Sequence, residues 1–164
     1  MYPDSLKNLI EAFKYLPSVG EKTAERFAFS IFDFDDDQIS LFKESLDDVR
    51  SKVHPCSICN VLTEDDLCSI CADTKRDDSF LCVVEDVKSV FLFEKIGMFK
   101  GKYHVLNGLI SPLDGINPED IGIDKLLDRI HNGNFKEILF AFKPSIEGET
   151  TSLYIKKILD AASK

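Results

Sequence analysis

Four of the chain's five cysteines stand in two close pairs, Cys56-Ser57-Ile58-Cys59 and Cys68-Ser69-Ile70-Cys71, and this spacing constrains the fold more than any other feature. The pattern is C-x2-C-x8-C-x2-C. Zinc prefers four tetrahedral ligands, and thiolates suit it. A two-residue gap lets both sulfurs of a pair turn onto one ion, and the longer gap suffices for a short hairpin to bring the second pair round. Cys56, Cys59, Cys68 and Cys71 are therefore expected to hold one structural Zn2+. With all four positions filled by protein, none is open for catalysis. Residues 54–78 are otherwise charged and almost without apolar periodicity. The metal is expected to supply most of their folding free energy, roughly 10–16 kcal/mol by comparison with zinc-finger peptides. The fifth cysteine, Cys82, stands inside an apolar run and reads as a small core residue. His54 lies just before the first pair but is not needed as a ligand. His104 reads as a packed strand residue, and no Ser/His/Asp arrangement emerges from spacing.

The segment before the cysteines looks helical. Leu6, Leu9, Ile10 and Phe13 recur at helical spacing. After the break Leu16-Pro17-Ser18-Val19-Gly20, a second helix carries Ala24, Phe27, Ala28 and Ile31 on one face. A third, capped by the acidic run Asp33–Asp37, carries Ile39, Phe42, Leu46, Val49 and Val53. Helices this short are marginal alone, so the three are expected to pack together or against a partner. A tight hairpin ending in Gly20 would expose backbone N–H groups at the start of the second helix, where the dipole attracts phosphate. Lys22 and Arg26, four apart, would add charge to the same strand. On spacing alone a plain glycine-capped turn fits equally well.

The segment after the cysteines alternates strand and helix. Phe80–Val84 is a continuous apolar run, as expected of a strand buried on both faces. A helix over 86–97, a strand at 103–106, a loop over 107–122, a helix over 123–131, a strand at 137–142 and a helix from Gly148 onward complete a βαβαβα order. That order implies a parallel sheet with right-handed crossovers.

The chain has 164 residues and a net charge of −9, the wrong sign for a simple nucleic-acid coat. Its first thirty residues are neutral, so DNA contact would need a few placed groups, several subunits or a basic partner. No run approaches the ~20 apolar residues of a membrane span. No basic flank precedes an apolar stretch at the N-terminus, so the cytoplasm is the expected location and disulfides are not expected.

Three resemblances add to this reading. Leu16, Val19, Gly20, Lys22 and Ala24 resemble the helix–hairpin–helix motif of DNA-repair proteins, with Ser18 in place of its first glycine. Glu85 after the first long strand, and Glu147-Gly148-Glu149 after the third, resemble the Toprim domain of topoisomerases and primases. Lys143 and Ser145 stand where that domain's paired Mg2+-binding aspartates would be. Magnesium wants hard anionic oxygens, so a lysine there argues against metal catalysis.

The order of these parts, with the stretches Tyr103–Gly115 and Asp73–Asp77, is similar to the bacterial RecR family of recombination mediators. The resemblance implies a multi-segment α plus α/β architecture: a helix–hairpin–helix bundle over 1–53, a four-cysteine zinc finger over 54–78 and a Rossmann-like Toprim domain with a parallel sheet over 79–164. It implies a non-enzymatic protein of DNA recombination and repair that acts with RecO, and in some bacteria RecF, to help load RecA on single-stranded DNA at gaps. It implies dimers or ring-shaped tetramers, DNA contacts at Gly20, Lys22 and Arg26, and a partner surface at Glu85, Glu147 and Glu149. It also implies a further strand and a glycine-rich tail beyond Lys164, so the Toprim segment is expected to be C-terminally incomplete. Two other readings are a Toprim-type Mg2+-dependent phosphodiester enzyme and a protein-interaction module without DNA binding.

Overall fold

A computed structural model describes residues 1–163. The chain separates into two compact units, Met1–Lys52 and Val53–Lys164.

The first unit contains α1 (Asp4–Phe13), α2 (Glu21–Ser30), a 3-10 turn (Ile31–Asp33) and α3 (Asp36–Lys52). Ile10, Ala24 and Ala28 are buried at its centre, with Leu6, Leu9, Phe13 and Val19 packed around them. Ala24 and Ala28 are one turn apart on α2, and their small side chains let the two helices approach closely. Phe13 meets Phe27 edge to face at 5.6 Å.

Of the two expected fates, packing together or against a partner, α3 does not meet the first within this chain, because none of its residues is buried. Leu41, Phe42, Leu46 and Val49 are all exposed. Its ends rather than its face account for its local order. Asp35 and Gln38 cap it reciprocally, Asp35 N donating to Gln38 Oε1 (2.9 Å) and Gln38 N to Asp35 Oδ1 (2.8 Å). Asp36 and Asp37 lie in the first turn and Arg50 and Lys52 in the last, where the helix dipole favours each sign.

The second unit begins with a two-stranded ladder, β1 (His54–Pro55) against β2 (Leu62–Thr63), and a single helical turn, α4 (Ser69–Ala72). Then follow β3 (Phe80–Val84), α5 (Val87–Ile96), β4 (Lys102–Val105), a 3-10 turn (Pro118–Ile121), α6 (Ile123–Asn132), β5 (Glu137–Ala141) and α7 (Ile146–Ala162). The three longer strands form a parallel sheet in the order β4-β3-β5, as the alternating pattern predicts. Central β3 is the apolar run, buried from Leu81 to Val84. Leu81 and Val83 pack under α6 and α7 with Leu126 and Ile155.

Cys82, Val84, Tyr103 and Val105 form a second cluster that also contains Val61, Ile70, Cys56, Cys59 and Cys68. The cysteine segment, too poor in apolar residues to fold alone, thus shares a core with the sheet. The 107–122 connection is more ordered than a plain loop. Ser111 bridges to Ile116, and Asn117 with Asp120 forms a capping box for the 3-10 turn. The last helix starts at Ile146 rather than Gly148, because Ser145 Oγ accepts the Gly148 amide (2.9 Å) and caps it.

Candidate metal centre and nucleic-acid interface

Two tight turns bring the cysteines together. In the first, Cys56 N donates to Val61 O (2.7 Å) and Asn60 N to Cys56 O (3.1 Å). Asn60 closes this turn in the left-handed region, φ 67°, which Asn tolerates better than most side chains. In the second, Cys68 caps α4, its sulfur accepting from Cys71 N at 3.4 Å. Further amides aim at sulfur: Val61 N at Cys59 Sγ (3.5 Å) and Cys68 N at Cys56 Sγ (3.4 Å). Such donors favour thiolate over thiol.

The four Sγ atoms lie within 4.8 Å of one another, and Cys59 and Cys68 Sγ are 3.5 Å apart. Tetrahedral Zn–S bonds of ~2.3 Å require sulfurs roughly 3.8 Å apart, so the cage fits zinc. Its sulfurs sit in unequal surroundings. The hydrogen bond from Cys59 draws Cys71 down to about 6, with Cys68 and Arg129 assisting, while the same contact and burial push Cys59 up.

At the hairpin, Gly20 is the N-cap of α2 and no side chain caps its amides. Lys22 and Arg26 are exposed and make no ion pair among the described residues. Lys14, by contrast, is held by Glu21 (2.8 Å) and Glu11 (3.1 Å). The residue in a left-handed conformation is Ser18 (φ 63°), whereas Gly20 is extended. Serine therefore occupies the position where glycine would be unstrained.

At the carboxyl end of the sheet, Glu85 Oε1 accepts the Lys143 amide at 2.6 Å. Lys143 Nζ lies 3.6 Å from Asp86 Oδ2. Asp86 in turn caps α5 through Ser89, whose hydroxyl and amide hold its carboxyl below the usual range. Glu147 and Glu149 stand in the first turn of α7. A lysine thus spans the position where a Toprim enzyme gathers carboxylates. Gly148 is required by close approach, since a Cβ there would meet Lys143 O at 2.9 Å.

Family profiles match in the same order as these sites. The RecR helix-hairpin-helix profile matches residues 6–50, the RecR four-cysteine zinc-finger domain profile residues 53–73, and the Toprim domain profile residues 79–164. The recombination protein RecR of Staphylococcus haemolyticus is 46% identical over 158 residues, 96% of this chain and 80% of its own. The RecR proteins of Natranaerobius thermophilus and Staphylococcus aureus strain Newman are also 46% identical over 158 residues, covering 79% and 80% of their lengths. The chain belongs to the RecR family.

With that membership comes the role of a non-catalytic mediator of DNA recombination. The RecR zinc-finger profile spans all four cysteines, in agreement with the sulfur cage. No helix among the described residues is long and apolar enough to cross a membrane. Other residues at the metal centre escape a motif search. Asn60 Nδ2 donates to Val105 O (2.8 Å), Lys125 Nζ to Asn60 Oδ1 (2.7 Å), and Lys102 Nζ to the carbonyls of Ile70, Cys71 and Asp73. The one available signal was a lysine opening a buried strand.

Proposed function

We propose that the helix–hairpin–helix unit grips the DNA backbone through the α2 amides at Gly20 and the side chains of Lys22 and Arg26. The acidic end of the sheet, with Glu85, Glu147 and Glu149, meets protein partners. The observation that carries this reading is the pairing of an uncapped helix N-terminus with two ion-pair-free cations on a chain of net charge −9. Contacts of this kind bind DNA without reading its sequence. The partners are RecO, and in some bacteria RecF, acting together to load RecA on single-stranded DNA at gaps. The working form is a homodimer or tetrameric ring, and the functional parts are residues 1–53, 54–78 and 79–164.

A salt titration of DNA affinity tests the hairpin. Direct phosphate contact makes log affinity fall with log salt concentration, and the double change Lys22→Ala/Arg26→Ala flattens that slope by about one unit per lost contact. Glu147→Lys/Glu149→Lys weakens RecO binding and leaves the DNA slope unchanged. An unaltered slope in the first variant would remove these residues from the interface.

A further inference from the structure

We propose that Lys102, on the edge strand β4, is the positioning residue of the zinc centre, so that the sheet and the metal order one another. The inference rests on the zinc assignment and goes beyond it. Lys102 is only 7% exposed. Its ammonium donates to Ile70 O (2.9 Å), Asp73 O (3.0 Å) and Cys71 O (3.4 Å), all carbonyls at the end of the turn that carries the second cysteine pair. Among the described residues its one ion-pair partner, Asp78 at 3.6 Å, is 81% exposed and contributes little. A buried cation held by carbonyl dipoles, with no buried counter-ion, is costly to keep. Four thiolates around a divalent ion leave two negative charges over, and Lys102 and Cys71 line the same open cleft. Arg129 lines that cleft too, donating to Tyr103 O (2.6 Å) on the same strand. The surplus negative charge of a zinc-loaded centre would then face Lys102 and Arg129, in a cleft that Asp73, Asp78 and Asp128 also line.

The first cysteine pair is tied to β4 as well. Val105 N donates to Cys59 O (2.8 Å), and Asn60 reaches back to Val105 O. An edge strand otherwise presents unpaired backbone groups, and here the zinc turn satisfies those of Val105. Lys102 fastens the second turn and the Asn60–Val105 contacts fasten the first, so metal binding and closure of this edge form a single event.

The test uses the full chain. Zinc content of the wild type is measured first, and a metal-free wild type refutes the zinc assignment itself. Chelator competition then compares Lys102→Met with Lys102→Arg. The expected loss for Lys102→Met is 10–100-fold in zinc affinity, about that of other changes just outside a metal's ligands. Lys102→Arg, which keeps the charge, stays within about fivefold of the wild type. A Lys102→Met protein that binds zinc as tightly as the wild type, or a Lys102→Arg protein as weak as Lys102→Met, overturns the proposal. Hydrogen exchange on the wild type gives a second reading should Lys102→Met fail to fold. Stripping zinc is expected to deprotect the Val105 amide while those of Cys82 and Val83 stay protected. Unchanged protection at Val105 overturns the coupling.

Discussion

Cys59 is wholly buried, accepts the Val61 amide and lies 3.5 Å from Cys68, so its sulfur is placed to serve the metal. Cys59→Ser is expected to abolish stoichiometric zinc and open the chain to protease near residue 60. Unchanged metal content on elemental analysis would contradict the assignment. His104 behaves differently. It is fully buried, and Arg129 can only donate, so Nδ1 accepts and the ring proton sits on Nε2, which has no partner among the described residues. Burial first, then Arg129 and Lys125, lower its pKa to about 3. In the unfolded chain it titrates near 6.5. Between those values the unfolded state holds one more proton, so stability falls as pH drops below 6.5 and this loss ends near 3. The expected cost is about 2 kcal/mol between pH 7 and pH 5, and His104→Gln removes it. Denaturant titrations at the two pH values decide. The cysteine ligands were legible because pair spacing is local. Lys102 was not, because its carbonyl partner Ile70 lies 32 residues away and no pattern links them.

Among the elements, β3 was readable because an unbroken apolar run has few other fates, and its two parallel neighbours because strand and helix patterns alternate along the segment. The helical identity of α3 was readable too, but its burial was not. Periodicity identifies an apolar face without saying what lies against it. The difference is measurable. Leu46→Ala on α3 is expected to change stability by no more than about 0.5 kcal/mol, whereas Leu126→Ala on α6, fully buried under the sheet, costs about 2–5 kcal/mol. Equal losses in chemical denaturation would mean that the α3 face is covered. The ordering of 107–122 was missed because three glycines and two prolines suggested a loop. Asn117-Pro118, a cap followed by proline at the first helical position, was the overlooked local signal.

For the molecule as a whole, two units with separate cores follow from where apolar residues are dense. Only the second unit contains the sulfur cage. Chelation is expected to lower the calorimetric transition of Val53–Lys164 and leave that of Met1–Lys52 in place, and a shift in both would join them energetically. The cysteine segment was legible as a metal site, but its shared core with the sheet was not, because that depends on contacts remote in sequence. This shared core has a physiological consequence. Half-life in the cell is then expected to depend on trace-element supply, since a chain made during scarcity would leave its cysteine turns and the β4 edge open to protease.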